Sequence, residues 1–233
     1  MMTGRDRTAQ LLLAFPSRSA MGREDFLESA CNRDAVTLVD SWPDWSEPVQ
    51  LIVGPAGSGK THLVEIWAAS SGAYVARDRF LASDVLRAMD EGRPVAIEFG
   101  DARGLDERAI FHTLNAARQT DSPLLMTTRR DLAQWDIVLP DLLSRLRAIS
   151  PVVLGPPDEA LLKKVIVKLF SDRQTPIEIT VLDYALVRLE RSFEAANLFV
   201  QCCDDFALRS ARKVTKQVAA EALQAVRIRM GGT

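Results

Sequence analysis

The chain has 233 residues, of which 47% are hydrophobic and 26% charged, a composition that excludes a disordered or fibrous polypeptide and allows one α/β domain with a small addition. Lys and Arg total 29 against 31 Asp and Glu, a formal charge of −2, so a phosphate-binding surface covering the whole molecule is excluded while a local basic site is not. Three cysteines with Cys202 and Cys203 adjacent give no disulfide framework, and neither His62 nor His112 has a Cys or His at zinc-ligand spacing.

Residues 1–22 show little periodicity beyond the cluster Leu11–Phe15, so they are expected to be extended or mobile unless a partner holds them. That cluster is far short of the roughly 20 apolar residues of a membrane span, and no cleavage-site pattern follows a charged leader. The expected location is the cytoplasm, with no membrane partner. From residue 23 onward short apolar runs alternate with helical periodicity. A packing helix is expected over Cys31–Trp42. Strands are expected at Val49–Val53, Ala73–Ala76, Pro94–Phe99, Leu124–Thr127 and Val152–Leu154. Between the strands fall helices at Lys60–Ser71, Ser83–Asp90, Asp106–Thr120 and Pro140–Arg147, crossovers long enough to make neighbouring strands parallel. The fold class is therefore α/β, a three-layer sandwich. Gly155, Pro156 and Pro157 then interrupt the chain, and Asp158 can cap a helix carrying Leu161, Leu162, Val165, Ile166, Leu169 and Phe170. Further helices at Val181–Leu189, Phe193–Leu208 and Lys216–Val226 complete a helical unit over residues 156–233, beside an α/β unit over residues 23–155.

The segment Gly54-Pro55-Ala56-Gly57-Ser58-Gly59-Lys60-Thr61 fits G-x-x-x-x-G-K-[ST] and stands directly between a strand and a helix. Its glycines let successive N–H groups turn toward phosphate oxygens, and the helix that follows, with His62 in its first turn, adds the positive end of its dipole. Lys60 would reach the β- and γ-phosphates of a nucleotide, and the Thr61 hydroxyl would ligate Mg²⁺. Such a site needs an acidic strand end. Val95-Ala96-Ile97 leads to Glu98, a candidate for Mg²⁺ or else a solvent-facing acid, but Phe99 stands where a water-activating carboxylate is expected. Asp101 comes two positions later. Thr127 and Thr128 end the next strand, placed by topology to sense the terminal phosphate; Arg129 and Arg130 read either as a solvated loop or as phosphate or partner contacts.

These elements in this order resemble an AAA+ module, a P-loop NTPase with a five-stranded parallel sheet followed by a small all-α lid. Arg23-Glu24-Asp25-Phe26-Leu27, Trp42-Pro43-Asp44-Trp45 and Leu139-Pro140-Asp141-Leu142-Leu143-Ser144-Arg145-Leu146 narrow the resemblance to the DnaA-related Hda proteins of alphaproteobacterial type. The resemblance implies a regulator of replication initiation that binds ADP or ATP, rides on the polymerase III sliding clamp and promotes hydrolysis of ATP bound to DnaA. It implies that Gln10, Leu11, Leu13 and Phe15 dock on the clamp, the alternative being that this cluster packs on its own domain. It further implies that Arg145 is an arginine finger acting in trans, the alternative being a surface ion pair with Asp141. Phe193 occupies the place of the family's lid arginine, for which Arg188 or Arg191 are the candidate substitutes. Phe99 and Phe193 together imply slow turnover of the chain's own nucleotide. The rival readings are a free-standing ATPase using Lys60, Thr61, Glu98 and Asp101, and a scaffold stiffened by nucleotide. DNA would be reached through the clamp, and self-association is open.

Overall fold

A computed structural model of the chain describes residues 22–77, 80–102, 104–210 and 213–231. The clamp-docking residues expected at Gln10, Leu11, Leu13 and Phe15 lie outside the described residues. In chain order the first elements are α1 (Arg33–Asp40), β1 (Val49–Val53), α2 (Lys60–Ser71), β2 (Tyr74–Arg77) and α3 (Ala82–Asp90). They are followed by β3 (Val95–Glu98), α4 (Glu107–Gln119), β4 (Leu124–Thr128), α5 (Pro140–Arg147) and β5 (Val152–Val153). The strands form one parallel sheet in the order β2-β3-β4-β1-β5.

The strands are mostly apolar because both sheet faces are covered, with polar residues gathered at the carboxyl ends of β2, β3 and β4. Leu51, Val53, Ile97, Leu124 and Met126 point to one face, against Val85, Ile110, Leu114, Leu142 and Leu146 of α3, α4 and α5. Ile52, Ala96 and Leu125 point to the other, against Val36, Leu63, Val64 and Trp67 of α1 and α2. Trp67 is fully buried, with Trp45 stacked on it at 5.0 Å and Trp42 edge-on at 6.5 Å, which is the packing role of the Trp42–Trp45 turn. Truncating such a ring to alanine costs about 3–5 kcal/mol.

Local chemistry sets the helix ends. The helix expected over Cys31–Trp42 begins only at Arg33, because Asn32 is engaged in a turn: its Oδ1 accepts from the Ser29 N–H at 2.8 Å and its Nδ2 donates to the Leu27 carbonyl at 2.9 Å. Asp106 caps α4 through the Ala109 N–H at 3.0 Å. The Glu107 carboxylate accepts from the N–H groups of Val138 and Leu139 at 3.0 and 2.7 Å, which fixes the entry to α5, where Pro140 takes the first turn.

The remaining helices are α6 (Glu159–Asp172), α7 (Ile179–Leu186), α8 (Phe193–Ser210) and α9 (Lys216–Gly231). Asp158 caps α6 as expected, its carboxylate accepting from the Leu161 N–H at 2.7 Å. These helices share a core of their own in which Ile166, Phe170, Leu182, Phe199 and Leu223 meet. Cys203 lies inside it, and burial pushes its thiol up to about 12, so it packs as an apolar group. Among the described residues, no helix is long and apolar enough to cross a membrane.

Candidate functional site

β1 runs straight into a glycine-rich turn and then into α2, so the turn lies at the carboxyl edge of the sheet beside the ends of β4 and β5. Gly57 and Gly59 have φ of +64° and +95°, in the left-handed region that glycine enters at little cost. A side chain at Gly54 would meet Leu154 at 2.8 Å, so the loop start is closed by the end of β5. Lys60 folds back over the loop: its Nζ donates to the carbonyls of Gly54 at 2.6 Å and Pro55 at 2.7 Å, with Ser58 Oγ at 3.3 Å. Burial, reinforced by the nearby Arg129 guanidinium and opposed by Glu98, brings its ammonium down from 10.5 to about 8.

Thr61 and Glu98 come together from different elements, the Thr61 hydroxyl donating to Glu98 Oε2 at 2.6 Å. Parallel pairing sets Arg77 level with Glu98, and Arg77 Nε donates to Glu98 Oε1 at 2.8 Å while its Nη2 pairs with Glu65. One oxygen of Glu98 is thus committed to a guanidinium and the other faces the loop. A hydroxyl beside a carboxylate is a hard-oxygen donor set that suits Mg²⁺ sharing its shell with phosphate and water. Among the described residues no cluster of three or more His, Cys, Asp or Glu could form an all-protein metal cage.

Phe99 follows Glu98 but turns away. Its ring is 4% exposed and packs edge-on against Trp135 at 5.1 Å and Phe80 at 6.1 Å, so the position where a water-activating carboxylate would stand belongs to the core. Asp101 is not among the residues lining the cavity described next; its carboxylate pairs with Arg129 at 3.5 Å on the exposed rim. Of the two threonines, Thr127 faces the cavity, whereas Thr128 is fully buried and its hydroxyl accepts from the Arg130 N–H at 3.3 Å.

The loop forms one wall of a cavity of about 850 Å³. Gly57, Ser58, Gly59, Lys60, Thr61, His62 and Glu98 line it, while Gly54, Pro55 and Ala56 are not among its lining residues. Phe26 and Leu27 from the chain before α1 and Val165 and Leu169 from α6 line it as well, with the Phe26 ring close beside Gly59. His62 stands edge-on to Phe26 at 5.0 Å, with its Nε2 3.2 Å from the Gly22 carbonyl. The apolar side chains suit a flat ring system and the loop suits a polyanion, and the volume is in the usual range for small-molecule sites.

The helical unit closes the site at two places. The Phe193 N–H donates to the Gly57 carbonyl at 3.0 Å, and the Phe193 ring lies 3.5 Å from where a Gly59 side chain would start. Lys168 of α6 pairs with Asp25 at 2.8 Å and Asp172 at 2.9 Å, which holds the Asp25 carboxyl below its ordinary range. The substitutes expected for the lid arginine are elsewhere. Arg188 lies over the Tyr184 ring at 4.0 Å and Arg191 pairs with Glu159 at 3.7 Å, and neither lines the cavity. The cationic residues that do line it, besides Lys60, are Arg77, Arg129, Lys168 and Arg173. Arg145 lies outside the cavity on α5, with its guanidinium 5.1 Å over the Phe111 ring rather than against Asp141, and with its Nε buried and unpaired.

No protein-family model matches the chain. A search of curated proteins gives no match either. Solved structures do match. Domain III of the Thermotoga maritima replication initiation protein DnaA aligns with a TM-score of 0.72 at 16% identity, over 91% of this chain and 99% of that one. AMPPCP-bound DnaA from Aquifex aeolicus aligns at 0.62 and 19% identity, over 80% of this chain and 67% of that one. A Thermotoga maritima RuvB variant aligns at 0.66 and 17% identity, over 87% and 71%. At these identities the likeness is one of fold: the chain has the AAA+ P-loop NTPase fold shared by DnaA and RuvB.

Proposed function

We propose that this protein is a DnaA-related regulator of chromosomal replication initiation of the Hda kind. In this reading ADP or ATP binds between residues 54–62 and the lid, with its phosphates on the loop and Lys60, Mg²⁺ on Thr61 and Glu98, and the terminal phosphate near Thr127. The units are an N-terminal clamp-binding segment 1–22, a nucleotide-binding core 23–155 and a lid 156–233. Gln10, Leu11, Leu13 and Phe15 anchor the chain to the sliding clamp as a short apolar peptide in a pocket, and the site of action is the cytoplasm.

The observation that carries the reading is the separation of two arginine roles. The nucleotide cavity has its own cations, while Arg145 is displayed away from it on an aromatic support, as a guanidinium meant for a neighbouring subunit would be. Phe99 supports the same division, since a chain without a carboxylate beside Glu98 is a poor ATPase by itself. That observation also weighs against a free-standing ATPase using Asp101. The test is turnover of DnaA-bound ATP with clamp-loaded DNA. The wild-type protein accelerates it, Arg145→Ala loses about 10³-fold or more of the effect, and deletion of residues 1–18 releases the protein from the clamp. Full stimulation by Arg145→Ala would remove the proposal.

A further inference from the structure

Lys168 ties α6 to the core well beyond the point where the chain itself joins them. The N–H groups of Leu154 and Gly155 donate to the carbonyls of Val53 at 2.7 Å and Cys31 at 3.0 Å, so the chain is held to the core up to Gly155 and turns into α6 through Pro156 and Pro157. From Asp158 at the cap of α6 to Lys168 the helix rises about 15 Å. A rotation of about 10° at the start of α6 therefore carries residue 168 about 2.6 Å, enough to part the ion pair with Asp25. The core side of that pair is fixed. The Asp25 N–H donates to the Gly22 carbonyl at 3.1 Å, Arg23 binds Asp40 of α1 at 2.7 Å, and the Phe26 ring packs edge-on against His62 of α2. On the lid side, Asp172 takes the same ammonium at 2.9 Å, while Ile166 and Phe170 seat α6 in the helical core. The side chains of Lys168 and Asp25 are 28% and 16% exposed, so water screens them less than a surface pair. Both line the cavity, and they join the two elements that supply its apolar side chains, Phe26 and Leu27 on one and Val165 and Leu169 on the other.

We infer that the Asp25–Lys168 pair is a latch between core and lid that sets how fast a nucleotide enters and leaves the cavity, an inference that rests on the nucleotide reading above. Swinging α6 about the 156–158 linker parts Val165 and Leu169 from Phe26 and Leu27, and that motion has to break the ion pair. A latch resists opening whichever way the ligand moves, so it slows uptake and release together. A charge acting on the ligand directly does otherwise: a carboxylate in the cavity repels a polyanion, which slows its uptake and speeds its release. Removing the Asp25 charge therefore separates the two roles, because a lost repulsion slows release and a lost latch speeds it.

The test is stopped-flow fluorescence of the full-length protein with N-methylanthraniloyl-ADP and Mg²⁺, with release measured by chasing with unlabelled ADP. The variants are Asp25→Asn, which keeps the size and removes the charge, Lys168→Met, the two combined, and Lys168→Arg. Uptake and release are each expected to be about tenfold faster in Asp25→Asn. Release speeds up by a similar factor in Lys168→Met, and the combined variant releases no faster than either alone, since one pair is lost in all three. Lys168→Arg, which keeps the charge, stays within about threefold of wild type. Release from Asp25→Asn that is within about twofold of wild type or slower, faster release without faster uptake in that variant, or factors that multiply in the combined variant overturn the latch while leaving nucleotide binding intact. A wild-type protein that takes up neither the probe nor ADP refutes the nucleotide reading itself, and this inference with it.

Discussion

Lys60 gives the nucleotide site a pH dependence that can be calculated. Its ammonium is desolvated in the loop and faces Arg129, and it titrates at about 8 in the unliganded protein. A bound polyphosphate supplies the opposite charge that the loop carbonyls supply only as dipoles, so binding favours the protonated amine and pulls a proton from solution whenever the free protein has lost it. Between pH 7 and pH 9 the protonated fraction of a group titrating at 8 falls from about nine-tenths to about one-tenth, and affinity falls with it about tenfold. At pH 8 binding should take up about half a proton, which calorimetry reads as a dependence of the observed heat on the ionisation enthalpy of the buffer. Lys60→Met binds more weakly and loses both effects. The same shift acts on stability with a definite sign. Because the folded value lies below the ordinary one, the empty fold bears the cost of a buried charge at neutral pH, and that cost is relieved as pH rises from about 8 toward 10.5. An affinity that is flat from pH 7 to 9, with no proton uptake at pH 8, would refute this account of Lys60.

Gly57→Ala places a Cβ 3.0 Å from Glu194 at a residue with φ of +64°, so left-handed strain and displacement of the start of α8 combine. Urea unfolding should show a loss of about 1–2 kcal/mol, and an unchanged midpoint would mean that α8 does not depend on this contact. Phe111→Leu removes the ring 5.1 Å beneath Arg145, so stimulation of DnaA-bound ATP turnover should fall about threefold to tenfold, with Phe111→Tyr restoring it. Full stimulation by the Leu variant would show that the ring does not hold the guanidinium.

What the sequence discloses and what it conceals divide along physical lines. A strand, a glycine-rich turn and a lysine at the helix start are contiguous, so the phosphate loop is legible from local pattern alone. Alternating apolar runs and helical spacing place the five strands to within a residue or two, because buried parallel strands are mostly apolar. Glu98 and Thr61 could be paired in advance only through the known chemistry of such loops, and their 2.6 Å hydrogen bond fits it. Contacts that depend on strand order or on the path of the lid were hidden. Arg77 meets Glu98 only because β2 pairs with β3, and Lys168 meets Asp25 only because α6 returns to the chain before α1. A faint signal existed for the latter, since Lys168 and Asp172 stand four apart beside Val165 and Leu169. Arg188 and Arg191 lie away from the cavity for a local reason: each has a nearer partner, an aromatic ring one helical turn earlier and the Glu159 carboxylate.

The central claim is that a nucleotide lies between the glycine-rich loop and the lid, and a crystal structure of the full-length protein with AMPPCP and Mg²⁺ tests it most directly. The account predicts the phosphates on the N–H groups of residues 57–61 with the base against Phe26, Leu27, Val165 and Leu169. A polyphosphate bound elsewhere on the surface, or an empty cavity at saturating AMPPCP, would contradict it.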